Sequence, residues 1–185
     1  MVIPPQTLIY TYIIQVAIAS VPIIYSRITH RHLRNYGFKI TKKLLIQGVS
    51  LSIGIGIGLS FISSPHPLTI GWIFLSCFLA PIGEEFFFRG FVQTHLMEKL
   101  KGGKRLLKFY LSYGLMLTAL IFGMIHLLNI FVLDLSLVNA IIRAMFAMLF
   151  GLLIGYIYQE TRSLLGPILM HGCLNGLTNL LPYYI

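Results

Sequence analysis

The chain has 185 residues, 57% of them hydrophobic and 10% charged, with a mean hydropathy of +0.84 and a formal net charge of +9. An ordinary soluble domain carries roughly 25% charged residues, so the composition excludes one and predicts an all-α, polytopic transmembrane helical bundle embedded in membrane lipid. A nucleic-acid partner is excluded as well, because the basic residues fall in connections between apolar runs rather than on an aromatic-interleaved groove or arm.

In chain order, apolar runs separated by charge or by Pro/Gly/Ser clusters predict six spans, over about 4–25, 44–62, 68–95, 110–132, 137–158 and 164–184. Nothing at the start resembles a basic segment before a cleavable apolar core, so the first run is expected to stay as a span. The connection after it carries Arg27, Arg31, Arg34, Lys39, Lys42 and Lys43; the one after the third span carries Lys99, Lys101, Lys104, Arg105 and Lys108; Arg162 stands in the fifth. The stretches around Ser63–Pro67 and Asp134 carry neither Lys nor Arg. All fourteen basic residues but Arg89 and Arg143 thus fall on one side, which predicts cytoplasmic basic loops and both termini outside. The expected location is the plasma membrane of a prokaryote.

Within the second span, Gly54, Gly56 and Gly58 have the wrong spacing for a phosphate loop, and no strand precedes them, so close helix packing is expected there. Cys77 and Cys173 lie in apolar runs without CxxC or Cys/His finger spacing, which leaves them as packing residues rather than a disulfide or structural zinc site. The organisation expected is an N-terminal pair of helices with its basic loop, 1–67, followed by a core of four helices, 68–185, enclosing a polar, water-accessible cavity.

Only five acidic residues occur, and Glu84 and Glu85 stand side by side inside the third span, followed by Arg89. An ionisable group at that depth costs several kcal/mol, about 2.5–3.5 on insertion scales, and marks a functional site by default. On a helix Glu85 and Arg89 are i and i+4 and neutralise each other as an ion pair. Glu84 is rotated about 100° away, free to serve as a general base. Two later spans each bring a histidine with an i, i+4 companion: Phe122 with His126, and His171 with Asn175. Polar side chains in spans must point into the bundle, so these define one polar centre, with Phe122 as a wall of its pocket. Arg143, inside the fifth span, is expected to pair with Asp134, a backbone carbonyl or a substrate carboxylate. His66 and His95 are expected at the interface, and His30 and His32 in the basic loop. Glu98 and Glu160 are expected in solvent-screened ion pairs.

The three motifs together resemble those of the intramembrane CPBP proteases, which include the type II CAAX prenyl endopeptidases and the abortive-infection and bacteriocin-immunity-related proteins. The family's EExxxR is similar to Glu84–Arg89, its FxxxH to Phe122–His126 and its HxxxN to His171–Asn175, over roughly residues 68–182. The resemblance implies an intramembrane endopeptidase acting on a peptide or lipidated-protein substrate. Glu84 and His126 would activate water, His171 and Asn175 would stabilise the oxyanion, and Glu85 and Arg89 would hold geometry and charge balance. No cofactor is expected. The alternative mechanism is a zinc ion held by Glu84, His126 and His171, against which stands the lack of an HExxH or comparable close pair of ligands. Alternative functions are a non-catalytic membrane immunity or scaffold protein and a proton-coupled carrier; no internal symmetry supports the carrier. One tension remains: counting from the span ends puts His126 and His171 near opposite faces. Both reach Glu84 only if a helix tilts, breaks or overshoots the bilayer.

Overall fold

A computed structural model of the chain describes residues 5–41, 45–61, 69–128, 130 and 136–180. Lys42, Lys43, the 63–67 connection with His66, and Asp134 lie outside the described residues. Six helices organise the remainder: α1 Pro5–Ile28, α2 Leu45–Ser60, α3 Ile70–Lys99, α4 Tyr113–His126, α5 Leu137–Thr161 and α6 Leu165–Leu180. The starts of α3, α4 and α5 carry the side-chain caps that free N–H groups at a helix start require. Thr69 accepts from the Trp72 N–H, Ser112 from Leu115 and Ser136 from Asn139. α5 ends where Arg162 turns left-handed, at φ 51°.

α1, α3 and α5 contain the apolar windows long enough to cross a membrane. Helices of that length and composition are the ones that cross a bilayer as spans of an integral membrane protein. α2 and α4 are apolar but shorter, at 16 and 14 residues. The run expected to span 110–132 begins instead as a strand. An antiparallel hairpin, β1 Gly103–Leu106 with β2 Phe109–Ser112, fills the basic connection, and α4 starts only after it. Gln159 fastens this hairpin to the end of α5, accepting from the Ser112 N–H at 3.1 Å and donating to the Tyr110 carbonyl at 2.8 Å.

The helices alternate in direction. Tyr12 bonds Gly71, Gln15 bonds Glu84 and Tyr25 packs on Phe91, so α1 runs parallel to α3. α5 runs the same way, with Gly151, Gly155 and Tyr158 facing Arg89, Gln93 and Thr94. α4 and α6 run against α3, and α2 runs with α6, since Gly48 meets Met170 and Gly56 meets Leu177. α3 is the central element, touching α1, α4, α5 and α6. A core of Ile154, Ile157 and Met170, with Val49, Phe150, Leu153 and Tyr156 packed on it, joins α2, α5 and α6.

The first basic connection is docked rather than loose. A 3-10 turn at Leu33–Tyr36 buries Tyr36 completely, and Gly37, at φ 86°, turns the chain so that its carbonyl accepts from the Leu164 N–H at 3.0 Å. Ser163 Oγ donates to the Lys39 carbonyl at 2.6 Å, and Arg31 pairs with Glu98 at 2.9 Å. The described basic segments therefore gather at one end of the bundle.

Candidate active site

α3 places the carboxylates, and it does so with an altered helical winding. π-helical stretches at Leu75–Leu79 and Phe86–Gln93 flank the regular turn that carries Glu84 and Glu85. Such widened turns recur at functional sites because they release backbone groups and re-aim side chains. Here the Arg89 carbonyl accepts from Thr94 Oγ1 at 3.2 Å, and the Thr94 hydroxyl also bonds Tyr158 at 2.6 Å.

Glu85 and Arg89 form the expected ion pair, both side chains fully buried, with Nε 3.0 Å from Oε2 and one terminal nitrogen donating to Oε1 at 3.2 Å. A second terminal nitrogen donates to the Gly151 carbonyl at 3.3 Å, and the guanidinium lies 4.6 Å from the Phe122 ring centroid. His171 joins this pair: its Nδ1 is 2.8 Å from Glu85 Oε1, and since a carboxylate only accepts, Nδ1 carries the proton. The other ring nitrogen lies 3.9 Å from Glu84 Oε2. His171 thus stands between the two carboxylates.

Glu84 is half-buried and bonds no guanidinium. It lines a cavity of about 270 Å³ with His126, Phe122, Phe87, Phe88, Ile125 and three residues of α1, Ile14, Gln15 and Ile18. The Phe122 ring contacts both imidazoles, at 4.7 Å from His126 and 6.1 Å from His171. His126 Nδ1 donates to the Phe122 carbonyl at 2.8 Å, which leaves Nε2 as its free nitrogen. Asn175 is half-buried and donates to the Ser76 carbonyl at 2.9 Å, so one of its two amide hydrogens is engaged.

The tension over depth has a structural answer: α3 overshoots its neighbours. Gly114 packs so closely on α3 that a Cβ there would lie 2.5 Å from the Met97 nitrogen. His126 follows Gly114 by twelve residues and Glu85 precedes Met97 by twelve, so the antiparallel helices arrive at one level. α6 starts nearer that level and reaches it at His171, which meets Glu85. The expectation that the last four helices alone enclose the cavity needs correction, because α1 supplies one wall. Ile14 on α1 is 56% exposed and Ile125 on α4 is 44% exposed, so the cavity lies at an outward-facing seam between these helices.

Other residues singled out in the sequence stand away from this centre. Arg143 is exposed on α5 and no described residue pairs with it, while Asp134, one of its expected partners, lies outside the described residues. His95 is half-buried in an aromatic cluster, 5.0 Å from Tyr25, 5.7 Å from Tyr36 and 4.5 Å from Phe91 between ring centroids. Sequence reasoning missed Gln15, which donates to Glu84, and Gln93, which is fully buried and donates to the Gly155 carbonyl at 2.9 Å. Each is an amide inside an apolar run, the one signal that could have drawn notice. Among the described residues no three His, Cys, Asp or Glu side chains come together to hold a metal.

A family model described as Rce1-like, type II CAAX prenyl endopeptidase, matches residues 66–177, more than half of the chain. No curated protein and no solved structure matches it.

Proposed function

The chain belongs to the Rce1-like family of type II CAAX prenyl endopeptidases, and on that premise we propose that it hydrolyses peptide bonds near the C-terminus of membrane-associated, CAAX-type substrates through a glutamate-activated water. The observation that carries this reading is the division of labour in the acidic doublet. Glu85 is neutralised by Arg89 and held by His171, whereas Glu84 opens onto the cavity it shares with His126.

A water in that cavity can donate one hydrogen to the Glu84 carboxylate and the other to the free Nε2 of His126. When the substrate carbonyl arrives, the water oxygen bonds to its carbon and one proton passes to Glu84. The carbonyl oxygen becomes an oxyanion, for which the second hydrogen of Asn175 supplies one donor and His171 a second from Nε2 in its doubly protonated form, the imidazolium lying between the two carboxylates. Collapse of the tetrahedral intermediate breaks the C–N bond, and Glu84 returns the proton to the leaving amine. No metal takes part. Entry at the seam between α1 and α4 suits a substrate whose lipid tail stays in the bilayer.

The test uses the full chain in proteoliposomes with a synthetic farnesylated peptide ending in a CAAX tail, beside an unprenylated copy. Glu84→Gln, which keeps shape and removes the base, is expected to lower cleavage by at least about 10²-fold with an unchanged thermal midpoint. Cleavage by Glu84→Gln at the wild-type rate would remove the hydrolytic mechanism. Incubation with a chelator is expected to leave cleavage intact, and a loss restored by added zinc would replace the metal-free mechanism.

A further inference from the structure

Gln15 stands outside the residues matched by the family model, on a helix that resemblance in sequence does not reach. It is 7% exposed, and two features tie it to the acidic doublet. Its Nε2 donates to Glu84 Oε1 at 3.3 Å. Its backbone rests on Gly83, where a Cβ would lie 2.8 Å from the Gln15 carbonyl oxygen and 2.6 Å from its Oε1. Only a glycine immediately before Glu84 lets α1 approach so closely.

The amide is oriented by chemistry as well as by packing. A carboxylate only accepts, so Gln15 must present its NH₂ to Glu84, and this turns Oε1 into a buried position without a hydrogen-bond partner. An apolar side chain of the same shape would fill the space without that orphaned oxygen, so packing alone gives the amide no purpose. The terminal torsion of a glutamate is broad and roughly two-fold, which leaves an untethered carboxylate free to rotate. Glu84 has Oε1 held from α1, while Oε2 lies 3.9 Å from His171 Nε2 on α6.

We infer that Gln15 is a positioning residue for the reaction: α1 fixes the rotation of the Glu84 carboxylate through the Gln15 amide, so that the proton-accepting oxygen is presented to the cavity water. The inference rests on Glu84 being the base. Once Glu84 holds the proton, the amide can turn over and offer Oε1 as an acceptor for the carboxylic acid, which gives that oxygen a partner in the second half of the cycle. The N-terminal helix is then part of the catalytic apparatus as well as a wall.

Two variants test this in the full chain with the farnesylated peptide. Gln15→Met keeps length and shape but has no donor; Gln15→Glu keeps shape and sets an acceptor against an acceptor. Both are expected to lower kcat by about ten- to a hundredfold, the scale set by misorientation of a reacting group, with KM little changed. The thermal midpoint of Gln15→Met is expected to match or exceed that of the wild type, because the orphaned oxygen is gone. Wild-type kcat in Gln15→Met, a loss confined to KM, or a loss that merely follows the folded fraction would overturn the inference. Glu84→Gln, run alongside, separates the two ideas. If it is inactive while Gln15→Met is fully active, only the role of Gln15 falls; if it is active, the base assignment falls.

Discussion

Arg89 shows how much one side chain can hold together. Its guanidinium is fully buried, and it joins Glu85 on its own helix, the Gly151 carbonyl on α5 and the Phe122 ring on α4. Removing one partner of a buried ion pair leaves an uncompensated charge in a low-dielectric interior, typically about 3–5 kcal/mol destabilising. Arg89→Met is therefore expected to lower the thermal midpoint in detergent strongly, whereas Glu84→Gln leaves it unchanged. The contrast separates the residue that holds the site from the residue proposed to act in it. The Glu85–Arg89 pair was legible in the sequence because i, i+4 spacing fixes it locally. The bond from His171 to Glu85 was not, since it joins residues 86 apart, and spacing within α6 says nothing of what that face meets. Gln15 was illegible for a related reason: a lone amide in an apolar run has no companion at helical spacing to give it a direction.

At the scale of elements, the site depends on where helices sit along one another. α4 carries His126 to the level of the acidic doublet because Gly114 locks its start against Met97. Gly114→Val would force the helices apart, an overpacking cost of about 1–3 kcal/mol. It would displace His126 at the far end of the same helix. The expected result is a lower thermal midpoint together with reduced cleavage of the farnesylated peptide. Hydropathy was sufficient to find the six long helices among the described residues, since burial in lipid imposes it on every turn. It could not find the hairpin, because Gly103–Ser112 reads as a charged connection and its pairing is set by Gln159 of α5. The π-helical turns of α3 are equally hidden, for they depend on Thr94 and Gln93 meeting carbonyls and hydroxyls brought by the chain's own winding and by α5.

Across the whole molecule, alternating helix direction collects the described basic segments at one end, where the 3-10 turn, the hairpin and the link between α5 and α6 interlock. The excess of Lys and Arg predicts that this end faces the cytoplasm. In a background without Cys77 and Cys173, cysteines at Arg34 and Lys104 are expected to react with an impermeant maleimide from the same side, and one at Thr69 from the opposite side. Labelling of all three from one side would break the alternation. The brevity of α4 reaches beyond the protein itself. Its 14 residues rise about 21 Å at 1.5 Å per residue, against roughly 30 Å of hydrocarbon. Lipids beside it have to compress to meet the mismatch, which draws the headgroup boundary toward the seam where Ile125 and His126 stand. Acyl-chain length thereby becomes a regulator of water supply, and hydrolysis should run faster in short-chain phosphatidylcholine vesicles than in long-chain ones.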